Sequence, residues 1–178
     1  MQDYGFERIG RRLFAEHLVG GNFGNMSVRD ENGFYIKRTG AYLDDPGEPV
    51  FVPFSGPVPK EASSEYRVHL AVYTAMPCRA IVHAHPPYAV AASLVFDEIL
   101  PLDSEGEMFA KRIPVVVGAP GTQGLADAVS SAMKTDRLVI ARGHGTFAVG
   151  ATLDEAFQLT SLAEHSCRII TFKRMFDT

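Results

Sequence analysis

Apolar positions along this chain of 178 residues switch repeatedly between helical and strand spacing. Residues 6–18 set Phe6, Ile9, Leu13 and Leu18 near the 3.6-residue period, which predicts an amphipathic first helix ended by Gly20-Gly21-Asn22. Residues 25–29 and 34–38 flank Asp30-Glu31-Asn32-Gly33; Asn-Gly tolerates the positive φ of tight turns, so the pair predicts a hairpin. The proline-rich stretch 46–59 reads as loop, with a short strand at 50–52. A helix is predicted to start at Ser63 or Ser64, whose hydroxyls can accept the free N–H groups of a first turn, and to run to Met76. A buried strand at 79–83, a short helix at 88–94, a strand at 113–117, a helix at 125–133 and strands at 137–141 and 145–149 follow. Thr152 ahead of Leu153-Asp154-Glu155 is a capping box that starts a last helix, with Ala156, Phe157, Ala163, Cys167 and Ile170 on one face. Interleaved helices and strands predict a layered α/β domain spanning 1–178, and the early hairpin argues against an all-parallel sheet.

Composition narrows the function classes. Hydrophobic residues are 46% and charged residues 21%, a balance that excludes disorder over most of the length. The net charge is −4 and the 17 basic residues are scattered, so no basic face for nucleic acid is expected. The longest nearly unbroken apolar stretch, 88–96, falls short of the ~20 residues of a membrane span. The opening MQDYGFERIGRR lacks the apolar core of a signal peptide, so a soluble cytoplasmic protein is expected. Two cysteines exclude a disulfide framework and a cysteine-rich zinc fold, and fit a reducing compartment.

The candidate chemistry lies in histidines. His83 and His85 end an apolar strand; residues i and i+2 share a strand face, so both imidazoles can meet one ion. Pro86 stops the strand there and places the pair at a sheet end. Alone, His-x-His is a weak signal, equally explained by two histidines at a strand end. His144, between Gly143 and Gly145 just past another buried strand, strengthens it, because catalytic zinc sites use three protein ligands and keep one position open. Imidazole also suits other divalent transition metals. Glu65 reads locally as a solvated acidic residue at a helix start; the functional reading is a carboxylate base beside the metal. His69, one turn on, is either its partner or a satisfied half-buried histidine. Gly24-Asn25, Thr39-Gly40 and Ser63-Ser64 are turns or caps of the kind that bind phosphate through backbone N–H groups without lysines.

In their order, Gly24-Asn25-Met26-Ser27-Val28, Thr39-Gly40, Ser63-Ser64-Glu65, His83-Ala84-His85 and Gly143-His144-Gly145 resemble the class II aldolase/adducin family, nearest to fuculose-phosphate aldolase and its short relatives. The resemblance implies a three-layer α/β/α fold with a largely antiparallel central sheet, and zinc held by His83, His85 and His144. It implies that Glu65 is the acid/base residue, able also to approach the metal in the empty enzyme. Gly24, Asn25, Thr39, Gly40, Ser63 and Ser64 match phosphate-binding positions. A homotetramer with sites at subunit interfaces is implied as well. The implied reaction is reversible cleavage of a short ketose 1-phosphate, such as fuculose 1-phosphate, to dihydroxyacetone phosphate and an aldehyde. A pentulose-phosphate 4-epimerase or a decarboxylase on the same metal site is the alternative, and a non-catalytic adducin-like scaffold a lesser one.

Two departures stand out. Longer relatives carry a C-terminal tyrosine, whereas the last tyrosine here is Tyr88, which leaves the general acid unassigned. Relatives also place an aromatic residue over the site between the histidine motifs. Here that stretch reads Leu102-Asp103-Ser104-Glu105-Gly106-Glu107, either a solvated loop or, through Glu105 or Glu107, part of the pocket.

Overall fold

The computed structural model describes residues 4–176. Along them run α1 (Phe6–Ala15), β1 (Asn25–Arg29), β2 (Gly33–Ile36), β3 (Val50–Pro53), α2 (Tyr66–Ala75), β4 (Ala80–Ala84) and α3 (Pro87–Ser93). Then come β5 (Glu98–Ile99), α4 (Ser104–Phe109), β6 (Ile113–Val116), α5 (Gln123–Ala132), β7 (Leu138–Ala141), β8 (Gly145–Gly150) and α6 (Leu153–Phe176). The strands form one sheet in the order β3-β2-β1-β4-β8-β7-β6-β5. Only β6 and β7 run parallel; the other neighbours are antiparallel, as expected.

Alternation along β4 divides the core. Ala80, Val82 and Ala84 pack with Ile9, Leu13, Phe157 and Ala163, from the α1 and α6 side. Ile81 packs with Val68, Val72, Leu125 and Val129, from α2 and α5. Residues of one parity share a face, so His83 lies on the Ile81 side. Every β4 position is buried, as a central strand covered on both faces requires. The three-layer α/β/α architecture follows, with α2 and α5 on one face and α6, joined by α1, α3 and α4, on the other.

The structure corrects several boundaries. The first helix ends at Ala15, before the glycines, because His17 takes the left-handed φ of 57°. There the Leu18 N–H reaches back to the Leu13 carbonyl at 2.9 Å, a Schellman-type closure made without glycine. The second helix starts at Tyr66 and not at the serines; the Tyr66 N–H bonds the Ser63 carbonyl at 3.0 Å, a turn that precedes the helix proper. The stretch 103–107 is helical from Ser104 on, with the side chain of the N-cap Asp103 accepting from the Gly106 N–H at 2.8 Å. The capping box of the last helix is present in part: Thr152 Oγ1 accepts from the Glu155 N–H at 3.2 Å, while the Glu155 carboxylate turns to the Ala151 N–H at 3.0 Å.

His69 is fully buried rather than half-buried. Ser27 Oγ lies 2.6 Å from its Nδ1 and 2.7 Å from the Tyr73 hydroxyl, a polar bridge between β1 and α2 inside an apolar layer. Burial pushes the imidazole down to about 3, so it folds neutral. An unfolded chain takes up that proton below about pH 6.5. The stability gained by neutral His69 is therefore complete above pH 6.5 and lost as the pH falls toward 3. In denaturant unfolding between pH 6.5 and 4, the non-titrating variant His69→Gln is expected to show a pH slope shallower than the parent by up to one proton, about 1.4 kcal/mol per pH unit. Equal slopes would contradict the neutral assignment.

Candidate metal centre and its cavity

Sheet order brings the three histidines together. β4 pairs with β1 and β8, placing His83 opposite Asn25 on one side and Phe147 on the other. β7 and β8 are joined by a tight hairpin in which Ala141 faces Gly145. Its turn carries His144, whose N–H bonds the Ala141 carbonyl at 3.0 Å. Because β8 lies beside β4, that turn sits at the β4 end, next to His85. The ligand nitrogens of His83, His85 and His144 all lie within 4.8 Å of one another.

Each imidazole is held differently. His83 is buried, stacks on Phe147 at 4.1 Å, and places Nδ1 2.9 Å from the Thr146 carbonyl. That bond turns Nε2 toward His85, whose Nε2 stands 3.0 Å away. The His85 N–H donates to the Leu18 carbonyl at 2.9 Å, and the exposed ring of Phe23 stacks on its imidazole at 5.7 Å. His144 meets His83 and His85 edge-on at 4.7 and 4.9 Å. Its Nδ1 is buried without a hydrogen-bond partner. Burial, and in two cases a neighbouring imidazole, favours the neutral ring in all three: His83 well below its ordinary value, His85 down to about 4, His144 lowered. Neutral imidazoles with converging nitrogens are what a divalent ion needs, and the Thr146 carbonyl behind His83 is the usual outer support of a ligating histidine.

A cavity of about 280 Å³ opens in front of them. All six residues expected at phosphate-binding positions line it: Gly24, Asn25, Thr39, Gly40, Ser63 and Ser64. Glu65 lines it too, at the cap position of α2, with Oε1 accepting from the Gly121 N–H at 2.9 Å. Its Oε2 is buried without a partner. Desolvation raises the carboxyl, only partly offset by the Gly121 bond. Glu65 stands outside the set of nitrogens that lie within 4.8 Å of one another; the structure brings three of the four expected ligands together and sets the fourth on the wall beside them.

Lys37 is the residue that sequence reasoning missed. It is 3% exposed, lines the cavity, and donates from Nζ to the Asn22 and Ala41 carbonyls at 2.8 and 2.7 Å. Burial pulls it down to about 8, and among the described residues no carboxylate forms an ion pair with it. In the sequence it looks like one polar residue in Phe34-Tyr35-Ile36-Lys37-Arg38, with Ile36 buried on one side of it and Arg38 exposed on the other. Phe23 was missed also. Glu105, by contrast, lies on a separate groove of about 850 Å³ with Phe109 and His165, and Glu107 is exposed, so the solvated reading of that stretch fits and the pocket reading does not.

An α/β/α sandwich with three histidines at the end of its central strand and a polar cavity in front defines a metal-binding class of site. Comparison with known proteins narrows it. The family model for the class II aldolase and adducin N-terminal domain matches residues 6–171, and the chain belongs to that family. An L-fuculose phosphate aldolase of Methanococcus vannielii is 32% identical over 177 residues, 97% of each chain. A 5-methylthioribulose-1-phosphate/5-deoxyribulose-1-phosphate aldolase of Escherichia coli is 28% identical, over 86% of this chain and 76% of its own. Among solved structures, the L-fuculose-1-phosphate aldolase of Thermus thermophilus superposes with a TM-score of 0.94 at 37% identity, over 97% of this chain and 94% of that one. The family implies a divalent metal ion, and the buried partnerless nitrogen of His144 beside two converging imidazoles fits one.

Backbone contact at the β4 end leaves no room for side chains. A Cβ on Gly145 would lie 2.2 Å from the Ala84 carbonyl oxygen and 3.0 Å from the His85 ring. Gly145→Ala is therefore expected to displace His85 against His144 and weaken zinc or cobalt binding at least tenfold in isothermal titration, with the far-ultraviolet circular dichroism retained.

Proposed function

We propose that this chain is a class II, metal-dependent aldehyde-lyase. It reversibly cleaves a short ketose 1-phosphate, such as fuculose 1-phosphate, to dihydroxyacetone phosphate and an aldehyde. The observation that carries this reading is one cavity lined by three neutral histidines, a desolvated carboxylate and a buried lysine cation. Relatives named as ketose-1-phosphate aldolases, matched over nearly their whole length, support it.

On this reading His83, His85 and His144 hold the ion, and zinc is favoured by an all-nitrogen set of three. Bound there, a divalent ion supplies Lewis acidity toward the ketose oxygens. The residues do the rest. Gly24, Asn25, Thr39, Gly40, Ser63 and Ser64 would seat the phosphate, and Lys37 would face it with positive charge, a geometry that fixes the sugar before bond cleavage. Cleavage breaks the C3–C4 bond, one bond removed from the C2 ketone: the C4 hydroxyl gives up its proton to solvent and becomes the aldehyde carbonyl, and the electron pair stays on C3 of the three-carbon phosphate half. Glu65, its carboxyl raised by desolvation and with Oε2 unengaged, would deliver a proton to C3 and take it back in the reverse direction. We further propose a homotetramer, supported by exposed Phe23 beside the cavity and exposed Leu94 and Val95 just past α3. A cytoplasmic setting is favoured by two buried free cysteines; among the described residues no helix is long and apolar enough to cross a membrane.

Metal-loaded protein incubated with a panel of ketose 1-phosphates is expected to release dihydroxyacetone phosphate, read by a coupled reductase assay; no release from any of them, with metal bound stoichiometrically, would reject the reading. Glu65→Gln should keep the metal and lower kcat by about 10²- to 10⁴-fold, whereas His144→Ala should lose the metal itself. Lys37→Met is expected to raise KM by roughly 10- to 100-fold, the loss of one charge-assisted bond, with a smaller effect on kcat.

A further inference from the structure

Of the three histidines, only His83 belongs to a strand and has its ring fixed by a hydrogen bond to the sheet. His85 lies just past β4, and His144 sits in the β7–β8 turn. Among the described residues no protein group hydrogen-bonds the His144 ring; it meets the edges of His83, His85 and Phe147 instead. A ligating histidine is ordinarily oriented by a partner on its second nitrogen. For His144 the orientation has to come through the backbone of its turn.

That backbone is bolted to α3. The buried Ser93 Oγ donates to the Val90 carbonyl at 2.7 Å and accepts from the Gly143 N–H at 2.9 Å. Arg142 crosses the same joint, donating to the Ser93 carbonyl at 2.7 Å and to the Asp97 carboxylate. The other end of α3 begins two residues after His85, and it is also fastened. Glu164 of α6 accepts the Tyr88 and Ala89 N–H groups with its two oxygens, at 3.1 and 2.9 Å. Two ends of a seven-residue helix thus tie to the segments that carry His85 and His144.

We propose that α3 is the brace that sets the spacing between His85 and His144, with Ser93 and Arg142 as positioning residues for His144 and Glu164 as the positioning residue for His85. The proposal rests on the metal-site reading above and adds residues that touch neither ion nor substrate. A metal site tolerates displacements of only a few tenths of an ångström in its ligands. The joint replaces the missing ring partner of His144 with two backbone-directed bonds made by a buried hydroxyl and a guanidinium.

The full-length metal-free protein titrated with cobalt(II) tests this, because the visible ligand-field spectrum reports ligand geometry independently of turnover. The parent is expected to bind one cobalt with the intense bands of a low-coordinate site. Ser93→Ala and Arg142→Met should each weaken cobalt binding tenfold to a hundredfold and shift those bands. Glu164→Gln, near in shape but with one acceptor oxygen replaced by a donor, should weaken it too. Melting of each variant without metal, with its circular dichroism, separates a local effect from lost folding; where Ser93→Ala fails to fold, Arg142→Met and Glu164→Gln decide by the same criterion. Parent-like affinity and spectrum in the folded variants would overturn the brace while leaving the metal site standing. A parent that binds no cobalt would overturn the metal site itself, and the brace with it.

Discussion

The pairing of β4 with β8 is the constraint on which the centre depends. His83 opposite Phe147 and Ala84 opposite Thr146 fix the register. A slip of one residue would turn His83 to the α6 face. The same pairing supplies the Thr146 carbonyl to His83 Nδ1 and brings the β7–β8 turn alongside the end of β4. Gly145 allows the approach, since its Cα lies against the Ala84 carbonyl where no Cβ fits. Local propensity, strand register and ligand geometry are therefore one arrangement, and a change to any of them is felt at the histidines.

Burial then sets the charge state of the cavity. Each titratable group in it is pushed toward its neutral form: the histidines and Lys37 downward, Glu65 upward. Desolvation is the leading cause in every case. Holding such groups dry costs stability, and a divalent cation together with a phosphate dianion would repay that cost, the cation at the imidazoles and the dianion at Lys37. Lys37 and the three imidazoles line the same cavity of about 280 Å³. The wider groove of about 850 Å³ between α4 and α6 holds none of these groups, so size alone would have pointed to the wrong place.

Much of this was legible from residue order. The strand with His83 and His85 at its end, the glycine-flanked His144, and the helices with their apolar faces all follow from period and punctuation. Other features were not legible, for physical reasons. Sheet order is a tertiary fact; nothing local in residues 80–84 says that residues 145–150 lie beside them. The serines at 63 and 64 have cap chemistry, but the Tyr66 N–H is already taken by the Ser63 carbonyl, which shifts the cap to Glu65. The helix at 104–109 is short and amphipathic in the wrong sense, with exposed Met108 and Phe109, so its pattern resembled a loop. Lys37 was hidden because a lysine on a strand edge normally signals solvent.

Unsatisfied polar atoms give an independent route to the same site. Buried side-chain atoms almost always find partners, and exceptions ask for a reason. Among the described residues the exceptions are Asn25 Oδ1, Glu65 Oε2, His69 Nε2, Asp103 Oδ2, His144 Nδ1 and Ser166 Oγ. Asn25, Glu65 and His144 line one cavity, whereas His69 is fully buried in the apolar layer against Ser27 and stands apart from that lining. Asp103 and Ser166 sit close together beside Gly106, where a hydroxyl rotation joins them, so that pair needs no ligand. What remains is a cluster of idle acceptors and donors around three imidazoles, drawn from β1, from the start of α2 and from the β7–β8 turn. A core under selection for stability alone would have filled those positions with apolar side chains. Their persistence in one place, on elements far apart in the chain, is the signature of a site whose remaining partners arrive from solution.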